Sequence, residues 1–207
     1  METFFFLLSS VLFVTHPLLF LMSTNLAHPL ISRLHAIFPA ILSFTVHGDL
    51  FLKVRPTHLI PLLTLLRSHT GFTFAQLLSV TITDYPERKD RFEAAYLLLS
   101  PFLAQRVTVL VSVPEGDSIP SVVSLYPSAG WYEREAWDRF GVPFAGHPDL
   151  RRRLTDYGFK GHPLRKDFPV TGYVEVRYDE RGKRIIYEGV SLPQEYRLFT
   201  FDTPFAI

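Results

Sequence analysis

Glu133, Arg134, Glu135, Asp138 and Arg139 crowd into one short stretch, with Trp131 just before them and Trp137 among them. Carboxylates this close could do general acid–base work if a histidine or a nucleophile stood beside them. None is near in sequence. At helical spacing the same residues also form ion pairs, Arg134–Asp138 and Glu135–Arg139, each worth about 0.2–0.5 kcal/mol. A salt-bridged, solvated helix face is the plainest reading of the charges. The two tryptophans add another, a face that docks on a protein. His147 and His162 could ligate a metal, but the chain has no cysteine and neither histidine has a second one three to five residues on. Each precedes a proline and reads as a ring that caps a local turn. Arg151, Arg152 and Arg153 could grip phosphate. Asp149 and Asp156 flank them, so an acidic protein surface suits them better than nucleic acid.

Gly116-Asp117-Ser118-Ile119 matches the serine block of one class of hydrolases and would make Ser118 a nucleophile. The downstream Asp-x-x-His pair of such enzymes does not occur, and Pro114 and Pro120 bracket the block as a loop. Ser118 is better read as a helix N-cap. G-x-S-x-G, G-x-G-x-x-G and P-loop patterns are missing, so no nucleotide or phosphate cradle is written in the chain. With 21 basic and 20 acidic residues, no global charge attracts a polyanion. The missing cysteines exclude disulfides, thiolate metal sites, cluster ligation and a cysteine nucleophile. Any redox role therefore falls to another chain.

The elements that must position these residues follow from periodicity. Asn25–Phe38 suits a short helix. Ile41–Val46 and Leu50–Val54 form a hairpin around His47-Gly48-Asp49. Leu59, Leu62, Leu63 and Leu66 make one helical stripe, with Pro61 costing a backbone bond or a bend and Gly71 as C-cap. Leu78–Tyr85 and Phe92–Ser100 read as strands. Val107, Val109, Val111 and Val113 alternate with more polar neighbours, the period of a half-buried strand. After the Pro114–Pro120 turn a helical region runs to Phe140, broken near Pro127, with Tyr132, Ala136 and Phe140 on one face. Gly141 and Pro143 stop it. From Val142 to Phe168, recurrent Gly and Pro allow only short turns. Tyr173–Tyr178 and Arg184–Val190 form a last hairpin, and the tail after Leu192 carries Tyr196, Phe199, Phe201 and Phe205.

The fold class is thus α+β. A mixed or antiparallel sheet with two or three helices precedes a long extended arm ending in a small hairpin. The expected division is an apolar extension over 1–38, a sheet domain over 39–128 and a docking arm over 129–207. Phe4–Met22 is apolar and about long enough to span a bilayer, which takes roughly 20 residues. His16-Pro17 interrupts it, and no Lys or Arg flanks it before Arg33. A helix docked on a partner or lying on the membrane surface fits better. The start is neither basic, as a secretory signal would be, nor Arg-rich, as a transit peptide would be. One internal echo stands out: Gly146-His147-Pro148-Asp149-Leu150-Arg151-Arg152 against Gly161-His162-Pro163-Leu164-Arg165-Lys166.

Several blocks together resemble one family. They are Asp84-Tyr85-Pro86, Arg91-Phe92-Glu93, Leu125-Tyr126-Pro127-Ser128-Ala129, Trp131-Tyr132-Glu133-Arg134-Glu135 with Trp137-Asp138, and His147-Pro148-Asp149-Leu150-Arg151-Arg152. Leu154-Thr155-Asp156-Tyr157-Gly158-Phe159, Gly161-His162-Pro163-Leu164-Arg165-Lys166-Asp167-Phe168-Pro169 and Gly172-Tyr173-Val174-Glu175-Val176-Arg177-Tyr178 complete the set. The chain is similar, from about Leu42 to Phe201, to the 30 kDa subunit of respiratory complex I, called subunit 9 in mitochondria. Arg139 and Arg153 stand where that family usually has apolar residues, Gly189 replaces a usual proline, and the apolar segment before Leu26 is untypical.

The resemblance implies a non-catalytic core subunit of the hydrophilic arm of NADH:ubiquinone oxidoreductase, in a complex that couples quinone reduction to proton translocation. An equivalent subunit of a related membrane-bound dehydrogenase or hydrogenase is the alternative. It implies no cofactor on this chain, with FMN and iron–sulfur clusters on other subunits. The implied partners are the 49 kDa subunit and neighbours of the quinone-reducing module, with no nucleic acid. Membrane contact would be indirect or through the N-terminal segment. The place implied is the matrix side of the mitochondrial inner membrane or the cytoplasmic face of a bacterial one. The expected partner interface comprises Trp131, Glu133, Arg134, Glu135, Asp138, His147, Asp149, Arg151, Arg152, Asp156, Tyr157, His162, Arg165, Lys166 and Asp167.

Overall fold

The computed structural model describes residues 29–194 and Arg197. Phe4–Met22, Asn25–His28 and the aromatic residues beyond Gln194 lie outside the described residues. Among the described residues no helix is long and apolar enough to cross a membrane.

Alternating hydrophobic residues build one mixed sheet. Strands β1 (Leu42–Val46), β2 (Asp49–Val54), β3 (Gln76–Asp84), β4 (Phe92–Ser100) and β5 (Gln105–Val113) lie in the order β1-β2-β5-β4-β3. Within it only β2 and β5 run parallel; the other neighbours are antiparallel. The β1–β2 turn places His47 and Gly48 at positive φ, which Gly48 accommodates without strain. One sheet face is closed. Leu52, Val109, Tyr96 and Leu98 lie on it, fully buried. Its other face carries Phe44 stacked on Phe51 at 5.4 Å, with Leu97 and Leu110 half-exposed.

Helices α1 (Pro29–Ile37), α2 (Pro56–Ser68) and α3 (Ala129–Phe140) supply the cover. The α2 stripe Leu59, Leu62, Leu63, Leu66 is wholly buried, as its spacing required. Pro61 sits inside α2 on the exposed side, so the missing N–H faces solvent and the helix continues past it. Gly71 is not the cap of α2. His69 leaves helical geometry first, its N–H bonding the Leu65 carbonyl, and its ring Nδ1 then accepts the Gly71 N–H at 3.0 Å. Ser118 caps no helix either: it is exposed at the entry to strand β6 (Ile119–Pro120), and α3 starts well beyond it, at Ala129. Strand β6 pairs in parallel with β7 (Phe144–Ala145), stitching the approach to α3 to its exit.

Gly141 ends α3 in the left-handed region, φ 75°, with its N–H on the Trp137 carbonyl. A side chain there would also come within 2.5 Å of His162 and 2.6 Å of Arg165. Tyr132, Ala136 and Phe140 face the core together. The core itself runs past residue 128, through Ala129, Ala136, Val142 and Phe144. Strands β8 (Val174–Asp179) and β9 (Arg184–Gly189) form the last hairpin, apart from the main sheet.

Two buried phenols test the core in opposite directions. The Tyr126 hydroxyl donates to the Phe74 carbonyl at 2.8 Å, and burial pushes its pKa up to about 12. The Tyr96 hydroxyl is fully buried without a hydrogen-bond partner among the described residues. An unpaired buried hydroxyl costs about 1–3 kcal/mol. Tyr96→Phe should therefore stabilise the chain by about 1 kcal/mol, read as a rise of about 2–4 °C in the unfolding midpoint. Tyr126→Phe should lower the midpoint. A fall with Tyr96→Phe would show that its hydroxyl has a partner.

Candidate functional site

Three carboxylates are enclosed where α3, the sheet and the following segment meet. Each accepts at least one main-chain N–H group from an irregular part of the chain. Asp138, on α3, is fully buried. Its Oδ2 accepts the N–H groups of Arg153, Leu154 and Thr155 at 3.2, 2.7 and 2.9 Å. Its Oδ1 accepts from Arg152 Nη1 at 2.9 Å and from the Thr155 hydroxyl. Burial alone would raise this pKa; the hydrogen bonds from Thr155, Leu154 and Arg153 overcome that and hold it far below the usual carboxylate range.

Asp84, at the end of β3, takes both prongs of Arg91 at 2.7 and 2.9 Å and the N–H of Lys166 at 2.8 Å. Arg91 is the first cause of its lowered pKa, with burial opposing. Arg91 also reaches Glu115 and Asp167, each at 2.9 Å. Arg165 binds Glu115 at 2.8 Å and the Phe140 carbonyl at 2.6 Å. The Arg91 and Arg165 guanidiniums lie 5.1 and 5.2 Å from the ring of Phe92.

Glu133 accepts the Val122 N–H at 2.8 Å and the Ser121 hydroxyl at 2.6 Å. Burial pushes its carboxyl up, and these two bonds act against the rise. His147 Nε2 lies 4.0 Å from it and 3.2 Å from the Gly130 carbonyl, while Nδ1 accepts the Asp149 N–H at 3.0 Å. That pattern assigns the ring hydrogen to Nε2. A Ser–Glu–His set is thus assembled from residues far apart in sequence, which spacing did not reveal. It is not a hydrolytic relay, because the Ser121 hydroxyl donates to the acid and not to the histidine.

The two Gly-His-Pro corners have parallel roles. Gly146 and Gly161 both adopt positive φ, 81° and 96°. The His147 ring then bonds the Gly130 carbonyl and the His162 ring the Asp138 carbonyl at 2.9 Å, pinning both ends of α3. Among the described residues no three metal-ligating side chains converge.

The family model for respiratory-chain NADH dehydrogenase, 30 Kd subunit, matches residues 52–174, which include the three carboxylates and both histidine corners. The chain belongs to this 30 kDa subunit family. It is 54% identical over 158 residues to a subunit of the NADH-quinone oxidoreductase of Ruegeria sp. (strain TM1040), covering 76% of this chain and 79% of that protein. It is 53% identical over 157 residues to NADH-ubiquinone oxidoreductase subunit 9 of Reclinomonas americana, covering 76% and 77%. Among solved structures it resembles a chain of the membrane-bound sulfane sulfur reductase, an archaeal respiratory membrane complex. The TM-score is 0.60 at 25% identity, over 68% of this chain and 84% of that one.

Within this member of the family, the charged block of α3 is not the simple solvated face that spacing suggested. Glu135–Arg139 forms at 3.1 Å. Arg134–Asp138 does not, because Asp138 turns inward and Arg134 donates instead to the carbonyls of Arg151 and Arg152. Arg139 and Arg153 both reach Glu135. The segment expected to strap a neighbour is bound first to its own chain. Glu133, Asp138, His147, His162 and Arg165 are all engaged internally. Arg152 is too, donating to the Gly161 carbonyl and lying over Trp137. Exposed are Trp131, Asp149, Arg151, Asp156, Tyr157, Lys166 and Asp167.

The carboxylates give opposite pH signs. Asp84 and Asp138 titrate below their unfolded value of about 3.9, so their stabilisation is complete above that value and is lost as pH falls through the folded pKa values. Glu133 titrates above its unfolded value, so its contribution is complete in acid and is lost as pH rises through the folded pKa. In urea unfolding between about pH 3 and pH 7, Asp84→Asn should flatten the acid loss of stability. Glu133→Gln, which mimics the protonated acid, should remove a decline on the neutral side. An unchanged pH profile in either variant would contradict the assignment.

Proposed function

We infer that this chain is a structural subunit of NADH:quinone oxidoreductase, with FMN and iron–sulfur clusters carried by other subunits. The complex transfers electrons from NADH to quinone; this chain contributes assembly and shape to it. Sequence identity above one half to two such subunits, over about three quarters of the chain, supports the assignment to the complex. The observation that carries the structural role is the surface presented by the pinned arm. Trp131 is 57% exposed, with the guanidiniums of Arg134 and Arg153 at 4.9 and 5.1 Å from its ring. Tyr157 projects fully, and β8–β9 exposes Val174, Val176, Tyr178, Ile185 and Tyr187. Rigid aromatic anchors amid charges of both signs are the composition of a protein interface.

We place the 49 kDa subunit and its neighbours in the quinone-reducing module against this surface. Trp131, Asp149, Arg151, Asp156, Tyr157, Lys166 and Asp167 would meet the partner directly. Glu133, Arg134, Glu135, Asp138, His147, Arg152, His162 and Arg165 would hold them in place. The protein would then lie peripherally on the matrix side of the mitochondrial inner membrane, or on the cytoplasmic side of a bacterial one. The N-terminal apolar segment is its candidate for direct membrane contact.

Trp131→Glu tests the surface without touching the buried network. Losing a central aromatic anchor costs upwards of about 2 kcal/mol of binding. The expected result is at least a tenfold loss of assembled complex on a native gel stained for NADH dehydrogenase activity, with the chain itself still folded. Normal assembly with impaired turnover would point instead to a direct part in catalysis.

A further inference from the structure

Asp138 does more than neutralise a buried site. The segment it binds, residues 151–155, belongs to no helix or strand, so regular secondary structure offers its N–H groups no partners. The carboxylate receives five donors from this segment, three of them successive main-chain N–H groups. That geometry is the concave arrangement in which main-chain amides enclose an anion, here an anion supplied by the chain itself.

What is fixed there spreads outward. Arg152, held by Asp138, also donates to the Gly161 carbonyl and lies 5.9 Å from the Phe159 ring. Arg153 bonds Glu135 at 2.9 Å and the Trp131 carbonyl at 3.3 Å. One residue past the clasp, Asp156 accepts the Tyr187 hydroxyl at 2.7 Å and so ties β9 to the arm. The Arg153 guanidinium beside the Trp131 ring, the turn at Tyr157 and the β8–β9 hairpin thus all depend on where 152–156 lies.

We propose that Asp138 is the positioning residue of the docking surface: its carboxylate folds 152–155 against α3 before a partner arrives and so orients Tyr157, the β8–β9 hairpin and the Arg153 guanidinium that flanks Trp131. This rests on the reading that the exposed arm meets a partner subunit. The physical gain is preorganisation. Each residue left to be ordered at binding would cost backbone entropy.

The test uses the full chain with Asp138→Asn, Thr155→Val and Trp131→Glu, each read by amide exchange and by assembly of the complex. Asparagine keeps the size of aspartate but turns an NH2 group toward donors, so it cannot accept both sets of bonds. With Asp138→Asn, the hydrogen-bonded amides within 151–163, those of Arg153, Leu154, Thr155, Tyr157 and Phe159, should exchange at least tenfold faster while those of β3, β4 and β5 keep their protection, and assembly should fail. Thr155→Val removes one donor and leaves the acid in place; it should accelerate the same amides by a smaller factor. If Asp138→Asn also exposes the sheet, Thr155→Val decides: acceleration confined to 151–163 supports the clasp, and unchanged exchange overturns it. Normal assembly of an Asp138→Asn chain whose arm exchanges freely overturns the proposal alone, provided Trp131→Glu blocks assembly. Normal assembly with Trp131→Glu overturns the docking reading and this proposal with it.

Discussion

Buried carboxylates matched by the main-chain N–H groups of irregular segments are the constraint on which the second half of this chain depends. A carboxylate removed from water is costly unless its lone pairs are filled. An amide N–H buried without an acceptor costs about 1–3 kcal/mol. Asp138 with 153–155 and Asp84 with Lys166 set the two penalties against each other, while at Glu133 the Val122 amide offsets only part of the cost of burial. The arm needs no strand or helix of its own there because its backbone is satisfied by acids standing on elements that are already rigid. The dependence is mutual. Without the arm, the acids on α3 and β3 would be stranded, and without the acids the arm would have nothing to hold it.

The two aspartates divide the work by position. Asp138 works from α3, near its C-terminal end, where a carboxylate gains nothing from the helix dipole and must rely on local donors. Asp84 works from the sheet, through Arg91, whose guanidinium meets three acids and lies over Phe92 beside that of Arg165. The second arrangement gathers β3, β4, the loop at Glu115 and the arm at Lys166 into one charge-assisted network. Gly141 follows Asp138 closely in the chain, and His162 and Arg165 pack against it so tightly that a Cβ there would stand 2.5 and 2.6 Å from them. A left-handed helix stop and a crowded passing of two side chains are thus one feature.

The sheet and α2 were legible because their signals are local. Period-two valines and a leucine stripe need no knowledge of distant residues. Phe92–Ser100 emerged with the bounds that the sequence indicated. The Gly141 stop was legible for the same reason. The arm was legible only as composition: Gly and Pro announced turns, and the repeated Gly-His-Pro was visible, but that each histidine would reach back to α3 was not. Asp84 and Lys166 stand 82 residues apart, and no spacing rule links them. Charges on α3 were assigned by i,i+4 distance, which ignores burial. Asp138 preferred three amides to Arg134, because inside the protein a carboxylate loses more by lacking donors than it gains from one exposed pair. Ser118 and Gly71 misled for a simpler reason, since a favourable residue type near a helix does not fix the residue at which the helix begins or ends.

The β8–β9 hairpin shows where the intramolecular account stops being sufficient. A two-stranded hairpin open on both faces is marginal in water. This one has an exposed Arg177–Glu188 pair across its strands and the Tyr187–Asp156 bond to the arm. A fully exposed ion pair of this kind is screened by water and adds little stability. Its isoleucine, valine and tyrosine side chains remain in solvent on a chain that has a well-filled core elsewhere. Such residues gain nothing for the isolated fold, but they gain about 25 cal/mol for each square ångström covered by another protein. Attached through Asp156 to the segment that Asp138 holds, the hairpin takes its place from within the chain, and the proposed docking would complete its stability from outside. A chain with no thiolate to bind a cluster fits that role in a redox assembly.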